Sequence, residues 1–317
     1  MISLGCAKNL VDAEVMMGSL LKQGFQITNE NAEADALIVN TCSFIDAAQE
    51  ESVDTILEST EFREQAKADQ AVIVSGCLSQ RYRKELPKLM PEVDAFMGID
   101  QVEQVGDIVR QAVDNRSSRL DEAAEQIETN NNETKQAVAE LVAGQDEERQ
   151  PTPGEPLVDI HSRPDYIPKF ETPRFRLTPN HFAYVKIAEG CNHPCSFCII
   201  PRMRGSHRSR TQFDIVQEAR QLVADGVKEL NLISQDSTYY GLDLREDHRP
   251  NIASPERFTA AANELPADAS TLASLLRELN AIEGEFWIRI LYTHPVSYTH
   301  LRAHETRHDL VCRLLLE

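Results

Sequence analysis

The sequence predicts an α/β chain: an open parallel sheet at the N-terminus, a connector, and then part of a β/α barrel. Three observations predict it. Short β-branched apolar runs alternate with helix-like segments over the first hundred residues, the pattern fails between Asp114 and Asp165, and strand–helix units resume near Phe182.

In the first region, Ala36-Leu37-Ile38-Val39 and Ala71-Val72-Ile73-Val74 are continuous and apolar, as buried parallel strands require. Met1-Ile2-Ser3-Leu4 is the stub of a third strand. Between them, Asp12 to Gly24 places Val15, Met16, Leu20 and Leu21 at helical spacing and closes on a glycine suited to a helix C-terminus. Ala47 to Leu57 reads as a second helix. The first domain is therefore set at residues 1–113.

Residues 114–165 hold thirteen acidic and five basic side chains, with Asn130-Asn131-Asn132 among them. Seven of the fifteen prolines then fall between Pro151 and Pro179. Low hydrophobicity followed by proline, which removes donors and disfavours helix before it, predicts a flexible, extended linker over 114–165, with at most a short helix at Thr134 to Val142.

A second α/β domain, 166–295, follows. Ala183 to Ile187 is a strand, Asp214 to Asp225 an amphipathic helix stopped by Gly226, and Glu229 to Ile233 a strand. Ser270 to Leu279 is the next helix and Phe286 to Leu291 the next strand.

The chain has 317 residues, a formal charge of −19 and 41% apolar content. It carries no apolar run long enough for a membrane span and no export signal, so the expectation is a cytoplasmic protein away from membranes. Strong acidity opposes loose binding to nucleic acid, which depends on Lys and Arg, and suits a basic protein partner. Residues 182–210 run the other way, with five basic side chains against Glu189 alone.

Seven cysteines, an odd number in a chain of this class, argue for metal rather than a disulfide framework. Cys191, Cys195 and Cys198 lie at offsets of four and three within Glu189-Gly190-Cys191-Asn192-His193-Pro194-Cys195-Ser196-Phe197-Cys198. Such a loop can wrap three thiolates around one face of an iron–sulfur cubane and leave one iron open for a ligand. Two other readings stay open on spacing: zinc with His193 or His207 as fourth ligand, and a redox pair of Cys195 and Cys198. Cys6, Cys42 and Cys77 each follow an apolar run, 36 and 35 positions apart. Parallel strands end on one edge of a sheet, where α/β proteins bind ligands, so the three thiols are expected to converge on a second cluster.

C-x-x-x-C-x-x-C after a strand resembles the radical S-adenosylmethionine superfamily. Two three-cysteine sites in this order resemble its methylthiotransferases. Ser3-Leu4-Gly5-Cys6-Ala7-Lys8-Asn9-Leu10-Val11-Asp12, Asn40-Thr41-Cys42, Ser75-Gly76-Cys77 and Cys195-Ser196-Phe197-Cys198-Ile199-Ile200-Pro201, followed by Arg204-Gly205 and Arg208-Ser209-Arg210, are similar to the branch that acts on a ribosomal protein. The resemblance covers Met1 to about Pro295, apart from a linker longer and more acidic than usual.

The resemblance implies a radical S-adenosylmethionine barrel and methylthiolation of the β-carbon of an aspartate in small-subunit ribosomal protein twelve. It implies two [4Fe-4S] clusters, on Cys191, Cys195 and Cys198 and on Cys6, Cys42 and Cys77, with S-adenosyl-L-methionine as cofactor. It also implies a low-potential electron donor of the flavodoxin or ferredoxin type and a monomer. Phe197 matches a position near the cofactor's adenine, or packs under the loop. Gln235 and Asp236 end a barrel strand and are expected to face the cofactor. Arg204, with Arg208 and Arg210, holds the cofactor carboxylate, balances cluster charge or is simply solvated. Lys8 and Asn9 line the second cluster or cap the helix near Asp12. The alternatives are the tRNA-modifying branch and a non-catalytic metal-binding protein.

After Pro295 the resemblance stops, so a C-terminally truncated barrel, a clipped N-terminus, poor solubility or activity and a non-native tail over 296–317 are expected. In that tail His300, His304, His308 and Cys312 recur every four residues. Four residues of helix rise about 6 Å, so the four side chains cannot share one ion.

Overall fold

The computed structural model describes residues 1–133, 155–193, 195–244, 260, 265–266 and 269–293. The proposed tail, the Thr134 to Val142 helix and Pro194 lie outside the described residues. The chain forms two compact units: Met1–Leu4 with Gln23–Ile160, and Gly5–Lys22 with the described residues of His161–Glu317.

In the first unit, β1 (Ile2–Ser3) leads toward α1 (Ala7–Lys22), which belongs to the other unit, and the chain returns through β2 (Ala36–Thr41) and α2 (Asp46–Ala66). It continues through β3 (Ala71–Gly76), the short α3 (Cys77–Arg81) and α4 (Leu86–Leu89), β4 (Ala95–Met97), α5 (Val105–Glu133) and β5 (Leu157–Asp159). Among the described residues these strands form one parallel sheet in the order β1-β2-β3-β4-β5. The β-branched runs of β2 and β3 are buried on both faces. Val39, Ile56, Val74, Leu78, Leu86, Val93 and Phe96 make a core, each side chain contributing roughly 1.5–3 kcal/mol.

The flexible linker expected over 114–165 does not hold at either end. Val105, Ile108, Val109 and Ala112 are buried at positions i, i+3, i+4 and i+7, so a helix face is anchored before the acidic run begins. Arg116 then donates to the Ala68 carbonyl at 2.8 Å and Arg119 to Asp94 at 3.2 Å, which fastens α5 through the stretch read as linker. At the far end β5 pairs with β4, Ala95 opposite Leu157. Residues 134–154 lie outside the described residues.

The second unit takes α1 and then β6 (Phe182–Lys186), β7 (Ala188–Glu189), α6 (Ile200–Met203), β8 (Arg208–Ser209), α7 (Gln212–Ala224), β9 (Glu229–Ile233), α8 (Leu272–Asn280) and β10 (Trp287–Ile290). Strands β6, β9 and β10 are parallel in that order, while β7 and β8 pair antiparallel. Thr211 caps α7 by accepting from the Asp214 amide at 3.1 Å. Gly226, at φ +90°, ends it, with the Val227 amide reaching back to the Leu222 carbonyl at 3.0 Å. Thr271 and Ser274 form a capping box on α8, whose Leu272, Leu275, Leu276 and Leu279 are buried as one stripe. These leucines pack with Ala183, Val185, Leu230 and Leu232 of the sheet. The α/β class holds in both units. Helix α1 starts five residues earlier than its apolar spacing shows, because the Cys6 carbonyl accepts the Leu10 amide at 3.1 Å. Among the described residues no helix is long and apolar enough to cross a membrane.

Candidate metal centre

Strand β6 delivers the chain through β7 into the cysteine loop. Gly190, at φ +75°, makes the entry possible, since a Cβ there would lie 2.0 Å from the Ser206 carbonyl oxygen. The Cys191 amide donates to the Gly205 carbonyl at 3.1 Å, and the Cys198 amide closes a turn on the Cys195 carbonyl at 3.1 Å. The His193 amide points at the Cys191 sulfur, 3.5 Å away. Cys195 is exposed, and Cys191 and Cys198 are half-buried.

Three thiols on one loop are a donor set for a metal ion or a cluster. Zinc–sulfur bonds are about 2.3 Å, so thiolates on one zinc must crowd together. Among the described residues, Cys191, Cys195 and Cys198 do not all come within 4.8 Å of one another. Each candidate zinc histidine has one ring nitrogen in contact with a neighbour, and His207 Nδ1 is buried with no partner among the described residues. His193 Nε2 is 2.6 Å from Asp236 Oδ2, and His207 Nε2 is 3.3 Å from Ser209 Oγ. Burial, with Asp236 and the neighbouring thiols, pushes the Cys191 thiol up to about 11, so metal uptake there displaces its proton.

Gln235 and Asp236 follow β9 at the carboxyl edge of the sheet, as expected. Gln235 Nε2 donates to Glu189 at 3.1 Å, while its Oε1 is buried without a partner among the described residues. Asp236 is buried, and the hydrogen bonds from His193 and Thr238 outweigh burial, which alone would raise it, to hold its carboxyl below the usual range. Phe197 is 89% exposed, so it does not pack under the loop. An exposed ring there is free to meet a planar ligand.

Arg204 is not solvated. It is 3% exposed and donates to Glu189 at 3.0 and 3.2 Å, to Asn9 at 2.6 Å and to Asp12 at 3.1 Å. Arg210 is likewise buried, on the Lys186 carbonyl and Glu218, whereas Arg208 is half-buried on the carbonyls of Arg204 and Ser206. Lys186, which sequence reading passed over, contacts Asp12 and Glu189 at 2.5 Å each. Burial would push Glu189 up, but Lys186 and Arg204 reverse this and hold it far below the carboxylate range. The available signal was a lysine inside the apolar run Ala183 to Ala188. A second missed group is Arg174, held between Glu14 and Glu218.

Lys8 and Asn9 lie within α1, so they do not cap a helix at Asp12. Lys8 is 5% exposed, and burial pulls its ammonium down to about 8.

In the first unit, Cys42 and Cys77 sit at equivalent places directly after β2 and β3, and both are buried. Ser52 grips Cys42 from α2, accepting from its amide at 3.0 Å and donating to its carbonyl at 2.9 Å. Gly76, at φ +94°, precedes Cys77, where a Cβ would meet the Asn40 and Thr41 oxygens at 2.6 Å. Cys6, three residues beyond β1, belongs to the second unit and is exposed.

Comparison with known proteins adds ancestry. Residues 1–98 match the model of an uncharacterized protein family, UPF0004, and residues 185–291 match the radical SAM superfamily. A ribosomal protein uS12 methylthiotransferase, RimO, of Opitutus terrae is 46% identical over 94% of this chain and 55% of its own length. The protein of the same name from Akkermansia muciniphila is 47% identical over 94% of this chain and 57% of its own. The chain thus spans about half the length of the curated relatives it matches. A solved radical S-adenosylmethionine methyltransferase, TsrM, from Kitasatospora setae covers 90% of this chain and 58% of its own at 13% identity and a TM-score of 0.45, too loose a likeness to assign anything.

Proposed function

We propose that the chain, which is similar over 94% of its length to ribosomal protein uS12 methylthiotransferases and matches the radical SAM superfamily over residues 185–291, forms the catalytic part of an enzyme that methylthiolates the β-carbon of an aspartate in small-subunit ribosomal protein twelve. The observation that carries this reading is the accessible three-thiol loop beside Gln235 and Asp236 at one sheet edge.

Cys191, Cys195 and Cys198 hold the reducing cluster. When bound, such a cluster would supply the electron for reductive cleavage of the cofactor's sulfonium. The chain's own groups do the rest. Gln235 offers its unpartnered amide oxygen to the cofactor's ammonium, and Asp236 stays ionised to do the same. Phe197, whose side chain is exposed on the loop, would cover the adenine. The Lys186–Asp12–Glu189–Arg204 network is a positioning device: it ties β7, the entry to the loop, to α1 and the segment after α6. Exposure of Cys195 suits electron entry from a low-potential flavodoxin or ferredoxin.

Cys6, Cys42 and Cys77 hold the auxiliary, sulfur-delivering cluster. Support comes from the register: Asn40 stands opposite Ser75 and Thr41 opposite Gly76, so β2 and β3 end together just before Cys42 and Cys77.

Anaerobic reconstitution with iron and sulfide tests the reading. Reduction should yield 5′-deoxyadenosine, and mass spectrometry should find a methylthio group on ribosomal protein twelve. Modification of a tRNA adenosine instead would move the assignment to the other branch. Metal without cofactor cleavage would leave a binding protein.

A further inference from the structure

Gln235 and Asp236, the two groups proposed to meet the cofactor, stand on a turn rather than on a strand. Strand β9 ends at Ile233, and a single 3₁₀ turn, Ser237–Tyr239, begins four residues later. The turn's own hydrogen bonds are long: the Tyr239 amide to the Asp236 carbonyl at 3.4 Å, and the Tyr240 amide to the Ser237 carbonyl at 3.3 Å. So short a piece with such bonds has little rigidity of its own. Yet Ser234 and Ser237, on either side of the pair, are completely buried. What holds them is the end of β10.

Strands β9 and β10 are paired up to Ile290 opposite Leu232, and the Leu291 amide makes a last ladder contact with the Leu232 carbonyl at 3.0 Å. Beyond it, one residue takes over. Ser237 donates its hydroxyl to the Leu291 carbonyl at 2.6 Å and its amide to the Tyr292 carbonyl at 3.0 Å. Successive carbonyls of an extended strand point to opposite sides, so an extended Tyr292 would leave only one of the two facing Ser237. Tyr292 instead has φ +61°, a left-handed conformation that a bulky residue rarely adopts, and its carbonyl comes round to join that of Leu291. Among the described residues it is the only non-glycine with a positive φ. Strain of this kind persists where the surroundings over-determine it, and here it secures the paired carbonyls.

The Ser237 hydroxyl has one hydrogen, and that hydrogen goes to Leu291. The Ser234 hydroxyl, 3.0 Å from it, is therefore the donor in their contact. A one-way relay results, from Ser234 to Ser237 to the Leu291 carbonyl, and it closes around Gln235 and Asp236 from both sides. Between the two serines, Asp236 accepts from the Thr238 amide at 3.0 Å and meets His193 at 2.6 Å, while the Gln235 amide oxygen keeps no partner among the described residues.

We propose that Ser237 is a positioning residue: with Ser234 and the turned-over backbone of Tyr292, it locks the Gln235–Asp236 turn to the end of β10 before S-adenosylmethionine arrives. This rests on the reading above. Ser237 is buried beneath the turn and acts through the pair, and a turn already in place need not be ordered when the cofactor binds.

Hydrogen exchange before any cofactor is added reads the turn, and iron content after anaerobic reconstitution reads the loop. Calorimetric titration of S-adenosylmethionine into the reconstituted, unreduced protein reads the site. Ser237→Ala leaves the Leu291 carbonyl and the Ser234 hydroxyl buried without their partner. It should speed exchange over residues 234–240 and weaken cofactor binding by about tenfold, the scale of one buried hydrogen bond, with iron content unchanged. Two further variants both remove the ring of Tyr292 and differ only in backbone freedom. Tyr292→Gly, which adopts a positive φ readily, should bind the cofactor within about twofold of wild type. Tyr292→Val, whose branched side chain opposes that conformation, should behave like Ser237→Ala.

Unchanged cofactor affinity in Ser237→Ala, with only faster exchange or a lower urea midpoint, would confine the serine to stability and overturn the proposal. Loss of iron would overturn it too, by placing the effect on the cysteine loop. If Tyr292→Gly and Tyr292→Val behave alike, the effect belongs to the ring and the proposal fails, a result that stands even if Ser237→Ala does not fold. A wild type that holds its full iron and binds no S-adenosylmethionine overturns the enzyme reading itself.

Discussion

The cysteine loop and the cysteines that follow β2 and β3 are placed by opposite routes. Cys191, Cys195 and Cys198 come from eight consecutive residues, so a single turn, one tight glycine and two amide contacts suffice. Cys42 and Cys77 are brought to equivalent places by the register of β2 and β3. A local site depends on loop geometry; a topological one depends on a whole sheet being paired correctly. The two should therefore fail differently.

The largest separation is expected from the ligands themselves. With two clusters the reconstituted wild type should hold about eight irons per chain, and Cys191→Ala and Cys42→Ala should each hold about four. Only Cys191→Ala should abolish deoxyadenosine formation. If Cys42→Ala also loses the loop's iron, the independence of the two sites is wrong.

Next in size is the ion network that supports the loop. Lys186→Met leaves Asp12 and Glu189 with one cation between them, and urea unfolding should show a loss of about 3–5 kcal/mol. A loss under about 1 kcal/mol would mean that the buried lysine does not support β7.

Acid sharpens the comparison further, because the frame of the second unit leans on a carboxylate. Burial alone would raise Glu218, but Arg210 and Arg174 hold it below its ordinary value. A depressed folded value gives stability that is complete above the unfolded pKa of about 4.5 and is lost as pH falls through the folded one. The urea midpoint of wild type should thus fall toward that of Glu218→Gln in this acid window, and the gap between them should be constant from pH 6 to 8. A gap that widened on acidification would contradict the sign.

The smallest effect is expected at Phe197. Its exposed ring packs on little, so Phe197→Ala should change stability by no more than about 0.5 kcal/mol while weakening cofactor binding. Unchanged cofactor affinity would remove the residue from the site.

How much of this was legible in the sequence follows the same division. The loop, β2, β3, β6 and β9 were readable because their signals are contiguous. So was the α7 stop at Gly226, a glycine in the left-handed region. Helix α5 was misread because acidic and asparagine-rich composition hid an anchor at Val105, Ile108, Val109 and Ala112 that spacing alone could have found. The ion network was not readable as a network. Asp12 and Lys186 are 174 positions apart, and nothing in either neighbourhood names the other. Arg204 resembled a surface arginine for the same reason: its partners Asn9 and Asp12 sit on α1. The division of the chain, with α1 grouped beyond the sheet that precedes it, is likewise a property of contacts rather than composition.

The central claim is that Cys191, Cys195 and Cys198 form a cofactor-cleaving centre. The most direct measurement is 5′-deoxyadenosine released on reduction by reconstituted wild type and by Cys191→Ala, with iron counted in the same samples. The account predicts cleavage in wild type, none in Cys191→Ala, and about four irons fewer in the variant. Equal cleavage in both, or a fully loaded wild type that releases no deoxyadenosine, would contradict it.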